Sequence, residues 1–220
     1  LYTEFGQMGG KLQTTAGTPC ITTNVGRSNE RNPEQQAIFE AEAMIKKQLR
    51  LKYSETIEDA EKIRIQVQLA LDGHEVKFNF PVDVQKKYDG GRTFTIDGER
   101  VLISRGNKTY PVKHITEELK AMFPSDIMTD GELYLHGVPL QTIMSYIKKS
   151  QIESNDIEYH IYDLPSNKCW AERKALLNTF KSSGHIKIVE TFTANNMEEL
   201  VALHDKFVAD GFEGAILRIN

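Results

Sequence analysis

The sequence predicts an α+β fold with mixed, mainly antiparallel sheets and flanking helices, preceded by a small α+β unit. Three observations carry this. Runs of alternating apolar and polar residues, Thr93 to Ile96 and Arg100 to Ser104, flank an Asp97 Gly98 pair and read as an antiparallel hairpin. Runs with helical spacing, Ile115 to Phe123, Ala171 to Phe180 and Met197 to Ala209, are interspersed with further strand-like runs. A charged, polar stretch, Thr56 to Arg64, separates all of these from an N-terminal piece of different composition.

That piece, residues 1–56, opens with a stretch rich in Gly, Thr and Gln that has too little apolar surface to close a core alone. A helix follows. Asn32 is placed to cap it, Pro33 suits its first position, and Ile38, Ala41, Ile45 and Leu49 recur at helical spacing to near Lys52. In the second piece, residues 60–220, Ile63 to Leu71 and Val76 to Phe80 are predicted strands around an Asp72 Gly73 turn. Val82 to Tyr88 is a strand bounded by Pro81 and by Gly90 Gly91. Beyond the hairpin and the helix from Ile115, Ile127 to Leu135 is a strand and Leu140 to Lys149 a short helix. Glu158 to Leu164 and His185 to Phe192 are strands, the helix from Met197 stops at Asp210 Gly211, and Gly214 to Ile219 is the last strand.

The 220 residues allow one domain with a real core plus a small appendage. With 40% hydrophobic and 26% charged residues the composition is globular, and the net charge of -4 restricts any nucleic-acid surface to a local basic patch. Two distant cysteines, Cys20 and Cys169, argue against a disulfide framework or zinc site and for a reduced, intracellular protein. No apolar run approaches membrane length, and no signal peptide is recognised.

The chemistry centres on Lys87 Tyr88 Asp89 Gly90 Gly91 Arg92, a KxDGxR run where a strand meets a tight turn. Side chains alternate along a strand, so Lys86 and Lys87 cannot both enter one pocket, whereas Gln85, Lys87 and Asp89 can. The backbone fixes a nucleophile at such a strand end while the turn leaves room for a ligand. Read alone, the run fits a solvated strand end with an ordinary Asp-Gly turn better than a nucleophile. Glu132 in DGELY and Glu213 in GFEGAILR each lie in a strand suited to burial, where a carboxylate needs a partner. Either alone fits an ion pair. Together, an amine, two carboxylates able to hold a divalent cation and nearby arginines make a set suited to phosphoryl transfer. The sequence lacks a GxxxxGK[ST] phosphate loop.

KxDGxR at 87–92, SRG at 104–106, DGELY at 130–134, Tyr162 Asp163 and GFEGAILR at 211–218 run in one order. In that order they resemble the covalent nucleotidyltransferases, above all the ATP-dependent DNA ligases of phage type. The resemblance implies an ATP-grasp-like nucleotidyltransferase fold for residues 60–220. It implies that Lys87 attacks the α-phosphate of ATP and holds AMP, and that Arg92 and Glu132 hold the ribose. Tyr162 would stack on adenine, with Gln85 a further candidate at the base edge. Arg105 would receive the 5′-phosphate of nicked duplex DNA. Glu213, with Glu132 a further candidate, would hold Mg2+ or Mn2+.

A monomer working in the cytoplasm is implied, the host's if the protein is phage-encoded. Tyr2 to Gln13 is similar to the WGR domain of some DNA-binding proteins, with Phe5 and Gln7 where that motif has Trp and Arg; a plain structural appendage is the other reading. The family's next lysine-bearing strand and OB-fold domain do not precede Asn220, and the chain starts at Leu1, so a fragment or processed form is expected. An RNA ligase, an mRNA-capping guanylyltransferase and a non-catalytic nicked-DNA binding module remain alternatives.

Overall fold

The computed structural model describes residues 1–7, 9–50, 53, 67–68, 70–71, 76–96, 99–106 and 108–219. The chain divides into two compact units, Leu1–Ile63 and Arg64–Asn220. The expected linker from Thr56 to Arg64 and the Asp72 Gly73 and Asp97 Gly98 turns lie outside the described residues.

In the first unit, β1 (Glu4–Phe5) pairs antiparallel with β2 (Gln13–Thr14), and α1 spans Pro33–Arg50. Asn32 caps α1 reciprocally: its side chain accepts from the Gln35 N–H at 2.8 Å, and the Gln35 side chain accepts from the Asn32 N–H at 3.0 Å. Only part of the apolar stripe is covered: Ala41 and Leu49 are partly buried, whereas Ile38 and Ile45 are both more than half exposed. The helix instead turns its Gln36, Ala37, Glu40 and Ala41 side inward, where Gln36 bonds Thr23 at 2.9 Å and Glu40 at 2.8 Å. Polar contacts, which periodicity does not register, set its rotation.

The described residues of the second unit form two sheets. The five-stranded sheet is built from β4 (Gly91–Ile96), β5 (Glu99–Ser104), β6 (Asp130–Tyr134), β7 (Glu158–Asp163) and β8 (Ile186–Ile188), in the order β5-β4-β6-β7-β8. All its pairings are antiparallel except β7 with β8. One face is covered by α2 (Lys113–Met122), α3 (Leu140–Lys148) and α4 (Trp170–Leu177). Ile115, Leu119, Ile143, Ile147 and Leu177 pack there against Leu133, Tyr159 and Ile161 from the strands. The other face carries the cross-strand row Arg92, Glu132 and His160. A short 3-10 turn, Ile152–Asp156, not anticipated from the sequence, precedes β7.

The three-stranded sheet has the order β10-β3-β9, all antiparallel, from β3 (Val82–Lys87), β9 (Phe192–Ala194) and β10 (Gly214–Arg218). Helix α5 (Met197–Ala209) covers one face through Phe207, which packs with Val82, Val84 and Ala194. Burying a side chain of that size contributes about 1.5 to 3 kcal/mol. Gly211 ends the helix region with φ +86°, as the Asp210 Gly211 stop requires.

Two sequence expectations are corrected here. His185 to Phe192 is not one strand: β8 belongs to the first sheet and β9 to the second, and the chain crosses between them at Val189–Thr191. Alternation along the run is the same in either sheet, so it cannot reveal the crossing. Val76 to Phe80 forms no ladder, because β3 already has β9 and β10 on its two edges. Phe78 and Phe80 instead hold that segment against the α5 core.

Candidate active site

Strand β3 divides its side chains as alternation demands. Val82, Val84 and Lys86 turn toward α5, and the Lys86 ammonium lies 4.5 Å from the Phe212 ring centre. Asp83, Gln85 and Lys87 turn toward the five-stranded sheet. A cavity of about 520 Å³ opens there, bordered by Lys87, Arg92, Arg105, Glu132, Tyr162 and Trp170 among others. The turn after Lys87 must be glycine: a Cβ on Gly90 would meet the Leu133 carbonyl, and one on Gly91 would meet the Ile147 side chain.

Lys87 meets Glu213, which stands just before β10, and the two side chains form an ion pair. Both are less than half exposed. Aromatic rings brace the segments that carry them. Tyr88, next to Lys87, packs on Phe212, next to Glu213, at 5.3 Å between ring centres, and on Tyr134 at 5.1 Å and His160 at 4.6 Å.

Arg92 is gripped at two points by Asp130, Nε to Oδ1 at 3.1 Å and Nη2 to Oδ2 at 2.8 Å, and Nη2 also donates to the Gln68 carbonyl at 2.6 Å. Burial alone would pull Arg92 down; the hydrogen bonds and charge of Asp130 outweigh it and hold the guanidinium above its ordinary range. Burial pushes the Glu132 carboxyl up to about 8, with Arg92 opposing the rise and Asp130 adding to it. Arg105 is exposed at the cavity rim.

Tyr162 donates its hydroxyl to Asp130 at 3.4 Å and has the Arg218 and Arg92 guanidinium carbons 5.2 and 5.9 Å from its ring centre. Gln85 is buried and fully engaged. Its amide donates to the Thr191 hydroxyl at 2.9 Å and the Tyr162 carbonyl at 3.3 Å, and its oxygen accepts from Arg218 Nε at 2.8 Å. Because Arg218 can only donate, this fixes which way the amide points.

The structure thus brings Gln85, Lys87, Arg92, Arg105, Glu132 and Tyr162 around one cavity and sets Glu213 against Lys87. It adds residues that sequence reasoning gave no role: Asp130, Asp163, Trp170 and Arg218. Asp163 takes Arg173 through both carboxylate oxygens, at 2.8 and 3.2 Å, and Arg218 at 3.2 Å. Asp130 and Arg218 stood inside the quoted DGELY and GFEGAILR runs, so their position was visible and their partners were not.

Among the described residues no three His, Cys, Asp or Glu side chains are grouped to hold a metal ion. Mg2+ commonly takes one or two carboxylates and completes its shell with water and substrate phosphates; here Glu132 borders the cavity and Glu213 stands against Lys87. Cys20 and Cys169 are free thiols. No helix among the described residues is long and apolar enough to cross a membrane.

The second unit thus sets a lysine at the end of the central strand of one sheet, turned toward the other. Solved structures share this fold. A Lig E DNA ligase superimposes with a TM-score of 0.58 at 22% identity over 70% of this chain and 62% of that one. A Chlorella virus DNA ligase-adenylate gives a TM-score of 0.53 at 21% identity over 67% of this chain and 56% of that one.

Residues 60–219 match the ATP dependent DNA ligase domain, and the chain belongs to that family. A DNA ligase of African swine fever virus is 32% identical over 153 residues, covering 61% of this chain and 36% of the viral protein. One from Saccharolobus solfataricus is 28% identical over 137 residues, covering 62% of this chain and 20% of the archaeal protein. The chain therefore spans about a third or less of the length of these curated relatives.

Proposed function

We propose that this chain is the adenylation domain of an ATP-dependent DNA ligase, with Lys87 as its nucleophile. The observation that carries the reading is the meeting of Lys87 and Glu213 beside a cavity whose wall holds Arg92, Glu132 and Tyr162. The Lys87 Nζ lone pair attacks the α-phosphorus of ATP, the bond to the pyrophosphate oxygen breaks, and a lysyl-AMP phosphoramidate forms. An oxygen of a DNA 5′-phosphate then displaces Lys87 to give a DNA-adenylate. The 3′-hydroxyl attacks that phosphate, AMP leaves and the strand is joined.

Each residue has a physical reason for its part. Arg92, immobilised by Asp130, offers a preorganised cation on the nucleotide, and Glu132 faces the same space for the ribose. Tyr162 gives a π-face for adenine, and Arg105 at the rim suits the incoming terminal phosphate. Gln85 acts on the base indirectly, by fixing Arg218 and the Tyr162 backbone. Glu213 and Glu132 would hold Mg2+ or Mn2+, which when bound neutralises charge on the phosphates. Glu213 is ion-paired with Lys87, whose ammonium has no lone pair; withdrawing the carboxylate removes the charge that holds the proton, so Lys87 releases it to solvent and attacks as the neutral amine.

In this reading residues 1–56 are a separate small unit preceding the catalytic 60–220. The substrate is nicked duplex DNA, the protein acts as a monomer, and its work lies inside the cell where ATP and DNA meet. Incubation with α-labelled ATP or GTP tests the proposal. Label on Lys87 from ATP supports it. Label from GTP alone points to a capping enzyme, transfer to RNA ends alone to an RNA ligase, and no label from either to a binding module.

A further inference from the structure

We infer that Trp170 is the back wall of the nucleobase subsite and sets the size of base the cavity admits. The inference rests on the reading above, in which the phosphate lies at Lys87.

The cavity has a direction. Lys87, Gln85 and Asp83 share one face of β3, and from Lys87 to Asp83 the strand runs four residues, roughly 13 Å. Lys87 borders the cavity together with Arg92, Glu132 and Arg105, and Arg173 and Arg218 border it as well. Trp170 begins α4, is 4% exposed and still borders the cavity, beside Asp83. Its indole N–H donates to Asp83 Oδ2 at 2.7 Å, where Lys174 also donates at 2.6 Å. A nucleotide with its phosphate at Lys87 has its base directed to the Asp83 end.

What the base meets there is a stack of immobilised planar groups. The Arg218 guanidinium carbon lies 4.9 Å from the Trp170 ring and 5.2 Å from the Tyr162 ring. Each of its three nitrogens donates once, to Gln85, Asp163 and the Tyr162 carbonyl, at 2.8, 3.2 and 3.4 Å. With the Gln85 amide also engaged, these side chains present a surface of fixed shape. Such a surface discriminates by size: filling or emptying a small volume in a tight pocket changes selection by tens of fold. Trp170 is the largest member of the stack, and Asp83 pins it to the nucleophile strand.

The test uses the full chain and two label donors, ATP and an ATP analogue with a benzyl group on the adenine 6-amino nitrogen. Formation of the lysyl adduct is followed by intact mass. The wild-type chain is expected to take label from ATP and to reject the analogue. Trp170→Ala should accept the analogue at least roughly tenfold better than wild type, with a raised KM for ATP and a smaller change in kcat. Trp170→Phe, which keeps a ring, should retain the preference for ATP. Trp170→Leu serves if the alanine variant does not fold, and is expected to shift in the same direction.

Variants that fold and use ATP but reject the analogue as wild type does would overturn the inference, as would a wild-type chain that accepts both donors equally. Failure of the wild-type chain to take label from ATP would overturn the Lys87 reading itself, and this inference with it.

Discussion

Asp130 holds Arg92 through two guanidinium nitrogens, Nε and Nη2, while the Tyr162 hydroxyl rests on the same carboxylate. One buried acid on β6 therefore orients two residues assigned to the nucleotide. Replacing it with Asn leaves the Arg92 charge without its counter-ion, a change that costs about 3 to 5 kcal/mol when a buried pair is broken from one side. Asp130→Asn is expected to lower the thermal midpoint and lose most adenylation. An unchanged midpoint with full labelling would remove Asp130 from this role.

The alternation of β3 separates neighbouring lysines. Lys86 lies over Phe212 on the α5 side and Lys87 meets Glu213 on the cavity side. Lys87→Ala should abolish protein labelling by α-labelled ATP, and Lys86→Ala should keep most of it. Label persisting in Lys87→Ala would mean that another residue is the nucleophile.

Glu132 gives a pH signature. Its carboxyl is raised from 4.5 to about 8, mainly by burial. Between those values the folded chain keeps a proton that the unfolded chain has released. The stability from this group is full below about 4.5, falls as pH rises through the window and levels off above about 8. Glu132→Gln has no such proton to lose. It should gain in urea midpoint relative to the parent as pH rises, and parallel midpoint curves would contradict the assignment.

Glu213 and Tyr162 should fail differently. A group that offsets charge gathering on the phosphate lowers the rate when removed, on the order of a hundredfold or more. Glu213→Ala is thus expected to slow single-turnover adenylation while ATP still binds. Tyr162→Ala should weaken ATP binding, with the rate at saturation less affected. Rapid-quench measurements over a range of ATP concentrations separate the two, and identical profiles would dismiss the distinction.

The sequence revealed the parts that depend on near neighbours. The end of β3 was legible because Pro81 and Gly90 Gly91 bound it, the hairpin because β4 and β5 alternate, and the start of α1 because Asn32 and Pro33 are local signals. The ordered motifs located Lys87, Arg92, Arg105, Glu132 and Tyr162, all of which border the cavity. What stayed hidden depends on pairing across long separations. Arg92 finds Asp130 only once β4 and β6 are in register. The amide of Gln85 is committed by Thr191 and Arg218, which arrive from the sheet crossing and from β10. Trp170 drew no reading from the sequence, since nothing beside it in the chain points to Asp83.

The position of β3 at the centre of the β10-β3-β9 sheet also bears on when the active lysine is assembled. Lys87 and Glu213 are 126 residues apart, and both ladder partners of β3 follow the whole five-stranded sheet in the chain. Contacts so far apart carry a large loop-closure cost and form slowly, and a chain made from its N-terminus has its local hairpin available first. The nucleophile strand is thus synthesised early and seated late. A nascent chain displays Lys87 before Glu213 and Arg218 exist around it, so the adenylation proposed for this lysine waits on the arrival of β10.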